Sequence, residues 1–190
     1  MTGKGVEETR MQDIASAADY TRRTLYSYFK SRDEVYLTLL VEDMQARWAA
    51  QKKALEAGGC GLDKIMTWGV SFCAFARANP HSMRLAAYWD FRGIDRSKVG
   101  DQVFREFESI NHELADGLRA VFHAGIADGS LRPGLDADMC ISQFLAALRG
   151  VVNRALLPTY SFATFEPGEY MKHFLDLFNR SIRNDGGHAE

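Results

Sequence analysis

The side chains best suited to binding chemistry are concentrated in one short segment: Arg22, Arg23, Tyr26, Ser27 and Tyr28. On a helix that begins at Thr21, helical spacing turns Leu25 and Phe29 inward and these five side chains outward. Guanidinium and hydroxyl groups suit DNA phosphates and base edges in the major groove. Between residues 20 and 32 there are four cations and no acid, although the chain carries a net charge of −2. The segment therefore predicts a DNA-binding surface.

Two short helical patterns with a tight turn between them would position this surface. Thr9 is predicted to cap the first helix, and Thr21 the second, after an interruption at Asp19-Tyr20. The apolar side chains of the first helix are Met11, Ile14, Ala15 and Ala18. So brief a connection between two short helices predicts a helix-turn-helix.

A third, longer helix is predicted to begin after Ser31. Asp33 and Glu34 lie in its first turn, where acidic side chains interact favourably with the helix dipole. Lys30 and Ser31 at its start are expected to contact the DNA backbone. Because this helix extends from the predicted DNA-binding segment into the rest of the protein, it is expected to transmit movement between the two parts.

This combined pattern resembles the tetracycline-repressor (TetR) family of transcriptional regulators. The matching residues are the capping Thr9, the triplet Asp13-Ile14-Ala15 and the run LYSYFKSRDEV from Leu25 to Val35. One departure is Asp19-Tyr20, which replaces the family's usual Gly-Val. A residue other than glycine costs about 1 kcal/mol in a left-handed turn, and Asp is among the less costly choices.

A second departure is at the start, where only MTGK precedes Gly5 and family members have a further helix. We therefore expect the sequence to begin late and the natural protein to be longer. Without that helix, Ile14, Ala18, Leu25 and Phe29 lose a packing partner. The chain as given is then expected to bind DNA poorly, although its body folds and dimerises.

The resemblance implies a ligand-responsive transcriptional regulator, a repressor that leaves double-stranded operator DNA when a small effector binds. Arg22 and Arg23 are expected to contact base edges, because they lie at the start of the second helix. The side chains expected to hold phosphates are those of Tyr26, Ser27, Tyr28, Lys30 and Thr9. The predicted DNA-contacting residues are Thr9, Thr21, Arg22, Arg23, Tyr26, Ser27, Tyr28 and Lys30.

Helical patterns continue through the rest of the chain, and no strand pattern is found. All four prolines lie at helix edges, which avoids a cost of about 3 kcal/mol in a helix interior. Helices are predicted at 9–18, 21–28, 32–57, 62–78, 80–92, 99–128, 136–157 and 167–184. The prediction is an all-α fold with a partial N-terminal helix-turn-helix head, residues 1–48, and a helical ligand-binding and dimerisation body, residues 49–190. The glycine-rich stretch 58–61 is expected at the junction.

The body is rich in large aromatic side chains, which form either a plain core or the wall of an effector cavity. The resemblance implies that the effector cavity lies among the central helices of the body. The predicted ligand-binding residues are Trp68, Phe72, Phe75, Tyr88, Trp89, Phe104, Phe107, Asn111, Phe122 and Phe144. Further polar groups are expected from Glu108, His112 and Gln143. The implied effector is hydrophobic or aromatic, and cationic if Glu108 or Asp90 faces inward. It is expected to move the helix after Asn79-Pro80 against the body end of the 32–57 helix.

The last two helices have broad apolar faces, broader than one small core requires. The resemblance implies that they form a four-helix interface in a homodimer. The predicted interface residues are Phe144, Leu148, Val151, Val152, Phe174, Leu177 and Phe178. Small residues at 146, 147 and 150 would allow close helix approach.

Other kinds of site are not indicated by the sequence. Cys60, Cys73 and Cys140 are far apart and are predicted to be free thiols. His112 and His123 share a helix face but lack the partners of a known metal motif, and no nucleophile motif is present. We therefore expect no metal, no cofactor, no catalytic residue and no membrane span, in a cytoplasmic protein. The alternative function is a dimeric, helical small-molecule-binding module without working DNA binding.

Overall fold

The computed structural model describes residues 8–156 and 165–186, and within these ranges it is almost entirely helical. The helices are α1 (Met11–Ala17), α2 (Arg22–Tyr28), α3 (Arg32–Glu56), α4 (Gly61–Ala78), α5 (Pro80–Arg92), α6 (Asp101–Ala127), α7 (Ala137–Leu156) and α8 (Pro167–Ile182), with a 3-10 turn at Arg96–Lys98. The predicted all-α fold is confirmed, and the described boundaries differ from the predicted ones by at most two residues. Among the described helices, none is both long enough and apolar enough to cross a membrane.

The predicted start signals of α2 and α3 are present. The Thr21 hydroxyl oxygen accepts a hydrogen bond from the Thr24 N–H at 3.1 Å. The Ser31 hydroxyl oxygen accepts one from the Glu34 N–H at 3.2 Å. Both bonds satisfy N–H groups that have no partner within the helix.

The start of α1 differs from the prediction, because Arg10 and not Thr9 precedes its first turn. The Arg10 N–H donates to the Asp13 carboxylate at 2.8 Å, so the acidic side chain of the first turn caps the helix in place of a threonine. After α1, Asp19 has a φ of 56°. The left-handed turn predicted at this aspartate is confirmed.

A small hydrophobic cluster joins α1, α2 and the first turn of α3, and we call it the head cluster. Its buried members are Met11, Ala15, Leu25 and Val35, with Ile14 and Phe29 partly buried against them. Ala18, which was expected on the inner face, is exposed. The reason is that α1 ends at residue 17 and Ala18 already belongs to the turn.

The much larger body core involves α3 to α8 and includes Trp68, Phe122 and Phe144, all without solvent exposure. Helix α3 contributes to this core from Tyr36 to Leu55. The glycine stretch 58–61 therefore connects two helices of the body and does not separate it from the DNA-binding segment. A Cβ atom added at Gly61 would clash with the backbone of Gly125, so glycine is required where α4 crosses α6.

Candidate DNA-binding surface and ligand cavity

Helix α2 presents the predicted basic and aromatic face to solvent. Arg22, Arg23, Tyr26, Ser27 and Tyr28 are all exposed, while Leu25 on the opposite side is buried in the head cluster. The Arg22 guanidinium lies 5.4 Å from the centre of the Tyr26 ring, and the exposed fraction of Tyr28 is 75%. The structure thus brings the predicted cations and tyrosines together on one accessible helix.

Two hydroxyl groups of this face already have partners within the protein. The Ser27 hydroxyl donates to the Thr24 carbonyl at 2.6 Å, and the Thr21 oxygen caps α2. Thr9 is partly buried, and its carbonyl accepts a hydrogen bond from Arg32 at 3.1 Å. Contacts from these residues to phosphate remain predictions.

Arg32 and Ser31 do not join the exposed basic face, contrary to expectation. One Arg32 amino group lies 3.4 Å from the Asp33 carboxylate and 3.4 Å from the Tyr88 hydroxyl of α5. The Ser31 hydroxyl donates to the Lys98 carbonyl at 2.6 Å. Both side chains are therefore directed toward the body, and three of the four predicted cations remain exposed on the surface predicted to bind DNA: Arg22, Arg23 and Lys30.

Glu34 connects the same turn of α3 with the segment before α6. One of its carboxylate oxygens accepts a hydrogen bond from the Gly100 N–H at 3.0 Å, and the other accepts one from the Lys30 N–H. Charge-assisted hydrogen bonds of this kind are stronger than neutral ones. The beginning of α3 is thus attached to residues 98–100, between α5 and α6.

A cavity of about 520 Å³ lies among α3, α4, α5, α6 and α7. Of the ten residues predicted to bind ligand, five line it: Phe72, Trp89, Phe104, Phe107 and Asn111. The other five lie elsewhere. Trp68, Phe122 and Phe144 belong to the solid body core, while Phe75 and Tyr88 pack against its edge.

Polar groups expected in the cavity are mostly outside it. Glu108, His112 and Gln143 are exposed and are not part of its wall, since their side chains lie on the outer faces of α6 and α7. Asn111 is in the wall, and its amide group donates to the Phe107 carbonyl at 2.7 Å. Asp90 is also in the wall, but it forms an ion pair with Arg149 at 3.2 Å.

Three arginines of the wall were not predicted: Arg47 of α3, Arg96 of the 3-10 turn and Arg149 of α7. Arg96 stacks on Phe104 at 3.7 Å from the ring centre and pairs with Asp101 at 3.0 Å. Burial, followed by the repulsion of Arg149, lowers the pKa of Arg47 to about 10, against the opposite effect of Asp43 and Asp90. Leu40, Met44 and Arg47 are spaced along one face of α3, and this spacing could have indicated Arg47 as a residue of the wall.

Three residues predicted at the dimer interface are placed inside the body core. Phe144, Leu148 and Val152 have no exposed surface, because this face of α7 packs against α4 and α8. The Phe144 ring stacks on that of Phe178 at 4.2 Å. Val151, Phe174 and Phe178 are partly buried, and 52% of Leu177 is exposed.

The outer faces of α7 and α8 nevertheless remain suitable for another helix pair. The exposed small residues of α7 are Ala146, Ala147 and Gly150. Within the described part of the chain, no three potential ligands are grouped closely enough to hold a metal ion. The three cysteines are free thiols, as predicted.

Comparison with known proteins agrees with this arrangement. Residues 1–39 match the sequence profile of the bacterial regulatory proteins of the tetR family. The HTH-type transcriptional repressor KstR2 of Mycolicibacterium smegmatis is 25% identical over 137 residues, which are 72% of this chain and 64% of that repressor. The match thus spans slightly less than two thirds of that repressor's length.

Solved structures show the same fold along nearly the whole chain. The ketosteroid transcriptional regulator KstR2 of Mycobacterium tuberculosis superposes with a TM-score of 0.71 at 18% identity, covering 96% of this chain and 88% of that one. The transcriptional regulator FadR of Bacillus subtilis, solved with stearoyl-CoA, gives 0.72 at 15% identity, covering 97% and 91%. The N-terminal segment therefore matches the tetR family of bacterial regulatory proteins, and the described chain shares the fold of these solved regulators.

Proposed function

We propose that this protein is a DNA-binding transcriptional repressor that leaves its operator when a small, largely hydrophobic effector occupies the cavity. One observation carries this proposal: the segment between α5 and α6 takes part in both sites. Gly93, Ile94 and Arg96 line the cavity, and residues 98 and 100 of the same segment bond to the first turn of α3. A ligand that moves this segment acts directly on the support of the DNA-binding helices.

Recognition of DNA rests on α2. Helix-turn-helix proteins place the second helix in the major groove with its first residues near the base edges. Arg22 and Arg23 occupy those positions and are exposed, which suits bidentate contact with guanine. Tyr26, Tyr28 and Lys30 lie farther along the same exposed side and are suited to the phosphates.

The effect of ligand binding is proposed to reach the DNA-binding helices through the first turns of α3. Helix α5 contacts α3 there: the Tyr88 ring is 6.3 Å from that of Tyr36, and the Tyr88 hydroxyl is 3.4 Å from an Arg32 amino group. We therefore replace the expected push on the body end of α3 with a displacement at its first turns. Trp89, next to Tyr88, is in the cavity wall and provides a direct route for the ligand.

A homodimer completes the proposal, because two DNA-binding segments can occupy successive major grooves only when they are about one helical turn apart, roughly 34–36 Å. The exposed faces of α7 and α8 are the proposed interface, with Leu177 and the small residues of α7 at its centre. Relatives support the repressor and effector parts: KstR2 is named a transcriptional repressor, and FadR was solved with stearoyl-CoA.

The proposal is tested by selecting duplexes from a random DNA library with the purified full-length protein and measuring their affinity by fluorescence anisotropy. We expect the enrichment of a two-fold symmetric sequence. Affinity for it should fall in Arg22→Ala and stay unchanged in Lys53→Ala, an exposed cation far from α2. Failure to enrich any sequence, with a dimer that still binds small molecules, would favour the module without DNA binding.

A further inference from the structure

We propose that the effector is an amphipathic anion, whose carboxylate or phosphate group binds between Arg47 and Arg149 at one end of the cavity. The inference rests on the proposed function and names the chemical class of its effector. It is carried by the charges and partners of four side chains in the cavity wall: Arg47, Asp90, Arg96 and Arg149.

Arg47 is a partly buried guanidinium without an acceptor. Among the described residues, no hydrogen-bond or ion-pair partner reaches it. Its neighbours are aromatic faces, with Phe72 at 5.1 Å and Phe75 at 6.0 Å from the guanidinium carbon to the ring centres. Its pKa is lowered to about 10 by burial and by Arg149, so it remains charged at neutral pH. A desolvated cation is costly unless an anion neutralises it.

Arg149 is held only weakly and can change partner. Its ion pair with Asp90 at 3.2 Å joins α7 to α5 at the rim of the cavity, where 47% of the Arg149 side chain and 36% of the Asp90 side chain are exposed. Exposed ion pairs contribute at most about 1 kcal/mol. A ligand anion that also contacts Arg47 can therefore compete with Asp90 for Arg149.

The wall as a whole has an excess of positive charge. Its charged residues are three arginines and one aspartate, and Arg96 is already paired with Asp101 outside the wall. Asp43, one turn before Arg47 on α3, and Asp90 of the wall both act on Arg47, but among the described residues neither forms a hydrogen bond or an ion pair with it. A cationic effector, which an inward Asp90 could have suggested, would meet this unpaired guanidinium next to Arg149 and is disfavoured.

Apart from Asn111, the remaining wall is apolar, and it determines the chemistry of the rest of the ligand. Leu40 and Met44 of α3 face Phe104 and Phe107 of α6 across the same space. A cavity of about 520 Å³ is within the size range of pockets for small ligands. The occupant is therefore an alkyl chain or ring system that ends in a single anionic group.

Titration calorimetry with four ligands of one chain length tests the head group: decanoate, decyl phosphate, 1-decanol and decyltrimethylammonium. We expect the anions to bind at least tenfold more tightly than the alcohol, and the ammonium most weakly. Whichever of decanoate and decyl phosphate binds more tightly indicates whether the effector carries a carboxylate or a phosphate. In Arg47→Met, anion affinity should fall about 10- to 100-fold and alcohol affinity should stay unchanged.

Arg105→Met is the matched control, because Arg105 is an exposed arginine of α6 outside the cavity. It should bind all four ligands like the unmodified protein. A thermal melt provides a second readout: removal of an unpaired, partly buried cation should leave the melting temperature of Arg47→Met unchanged or higher. A drop in melting temperature with unchanged anion affinity would show a merely structural arginine and overturn the inference.

DNA release separates this inference from the proposed function. Equal affinity for decanoate and decanol, with release of operator DNA by either, would overturn the anion site and leave the effector-controlled repressor intact. Binding of none of the four ligands would overturn the anion site, while enrichment of an operator from the DNA library would still support the repressor. Asp90→Asn should strengthen anion binding several-fold, since it removes the carboxylate that competes for Arg149.

Discussion

The head cluster and the body core lie along the same helix, α3, and differ greatly in size. Among the described residues, four buried side chains hold α1 and α2 in place. The body core holds α3 to α8 with many more, including fully buried Trp68, Phe122 and Phe144. Because burial of apolar area provides most of the stabilisation, the head cluster contributes little on its own. Among the described residues, α1 and α2 are therefore held by much less buried apolar area than the helices of the body, and only Ile14 of α1 also packs against the body core.

This difference gives the polar contacts at the start of α3 a particular weight. Ser31, Arg32 and Glu34 bond to the Lys98 carbonyl, the Tyr88 hydroxyl and the Gly100 N–H of the body. Where few apolar contacts fix an element, a few hydrogen bonds of about 1 kcal/mol each can decide its orientation. A ligand in the cavity needs to alter only these bonds to displace α2.

The largest effect is expected from Phe122→Ala in the body core. This ring has no exposed surface, and its loss leaves a cavity that costs about 3–5 kcal/mol of the free energy of unfolding. Urea denaturation should show the whole body unfolding at a lower midpoint. Val70→Ala, on a side chain with 58% exposure, should change the free energy of unfolding by less than about 0.5 kcal/mol.

Leu25→Ala tests whether the head cluster and the body core unfold independently. It removes one of the four buried side chains of the head cluster and should destabilise α1 and α2 by about 2–3 kcal/mol. We expect lost hydrogen-exchange protection in α1 and α2 and weaker operator binding, with little change in the unfolding of the body. Gln12→Ala, on the exposed side of α1, is the control. If Leu25→Ala shifts the unfolding of the body as Phe122→Ala does, the head cluster and body core are one cooperative unit.

Local signals in the sequence predicted the elements of both regions well. Thr21 and Ser31 cap their helices, Pro80 and Pro167 begin theirs, and Asp19 adopts the expected left-handed turn. These features depend on residues only a few positions apart. The Thr9 cap was wrong for a related reason: Asp13 can serve the same turn with its carboxylate, and spacing alone does not distinguish the two.

Features that depend on distant neighbours were predicted less well. Helical periodicity showed that Phe144, Leu148 and Val152 share an apolar face, but not that this face meets α4 and α8 inside the body. The cavity wall combines Arg47 and Arg149, which are separated by about a hundred residues. Only the packing angle of the helices brings such side chains together, and the sequence pattern contains no measure of that angle.

Arg22→Ala and Arg23→Ala test whether α2 contacts the base edges of the operator directly. Each should reduce operator affinity by about 1–3 kcal/mol and relax the sequence preference, because a bidentate base contact is lost. Lys30→Ala should weaken binding to operator and random DNA alike and reduce the salt dependence by about one phosphate contact. The anisotropy of labelled duplexes at several salt concentrations measures both quantities. An equal loss on operator and random DNA in the arginine variants would contradict base reading.

The smallest expected effect concerns the coupling between the cavity and α2. Glu34→Gln replaces one carboxylate oxygen by an NH₂ group, so one of the Lys30 and Gly100 N–H groups faces a donor and loses its acceptor. Effector and operator must weaken each other's binding by the same factor, and we expect the variant to lower that coupling by about 1 kcal/mol, roughly fivefold. Titration of the effector with and without operator DNA measures it in both directions. Glu42→Gln, an exposed position on the same helix, should keep the full coupling. A Glu34→Gln protein with unaltered coupling would show that the signal reaches α2 by another route, such as the contact of Tyr88 with Arg32.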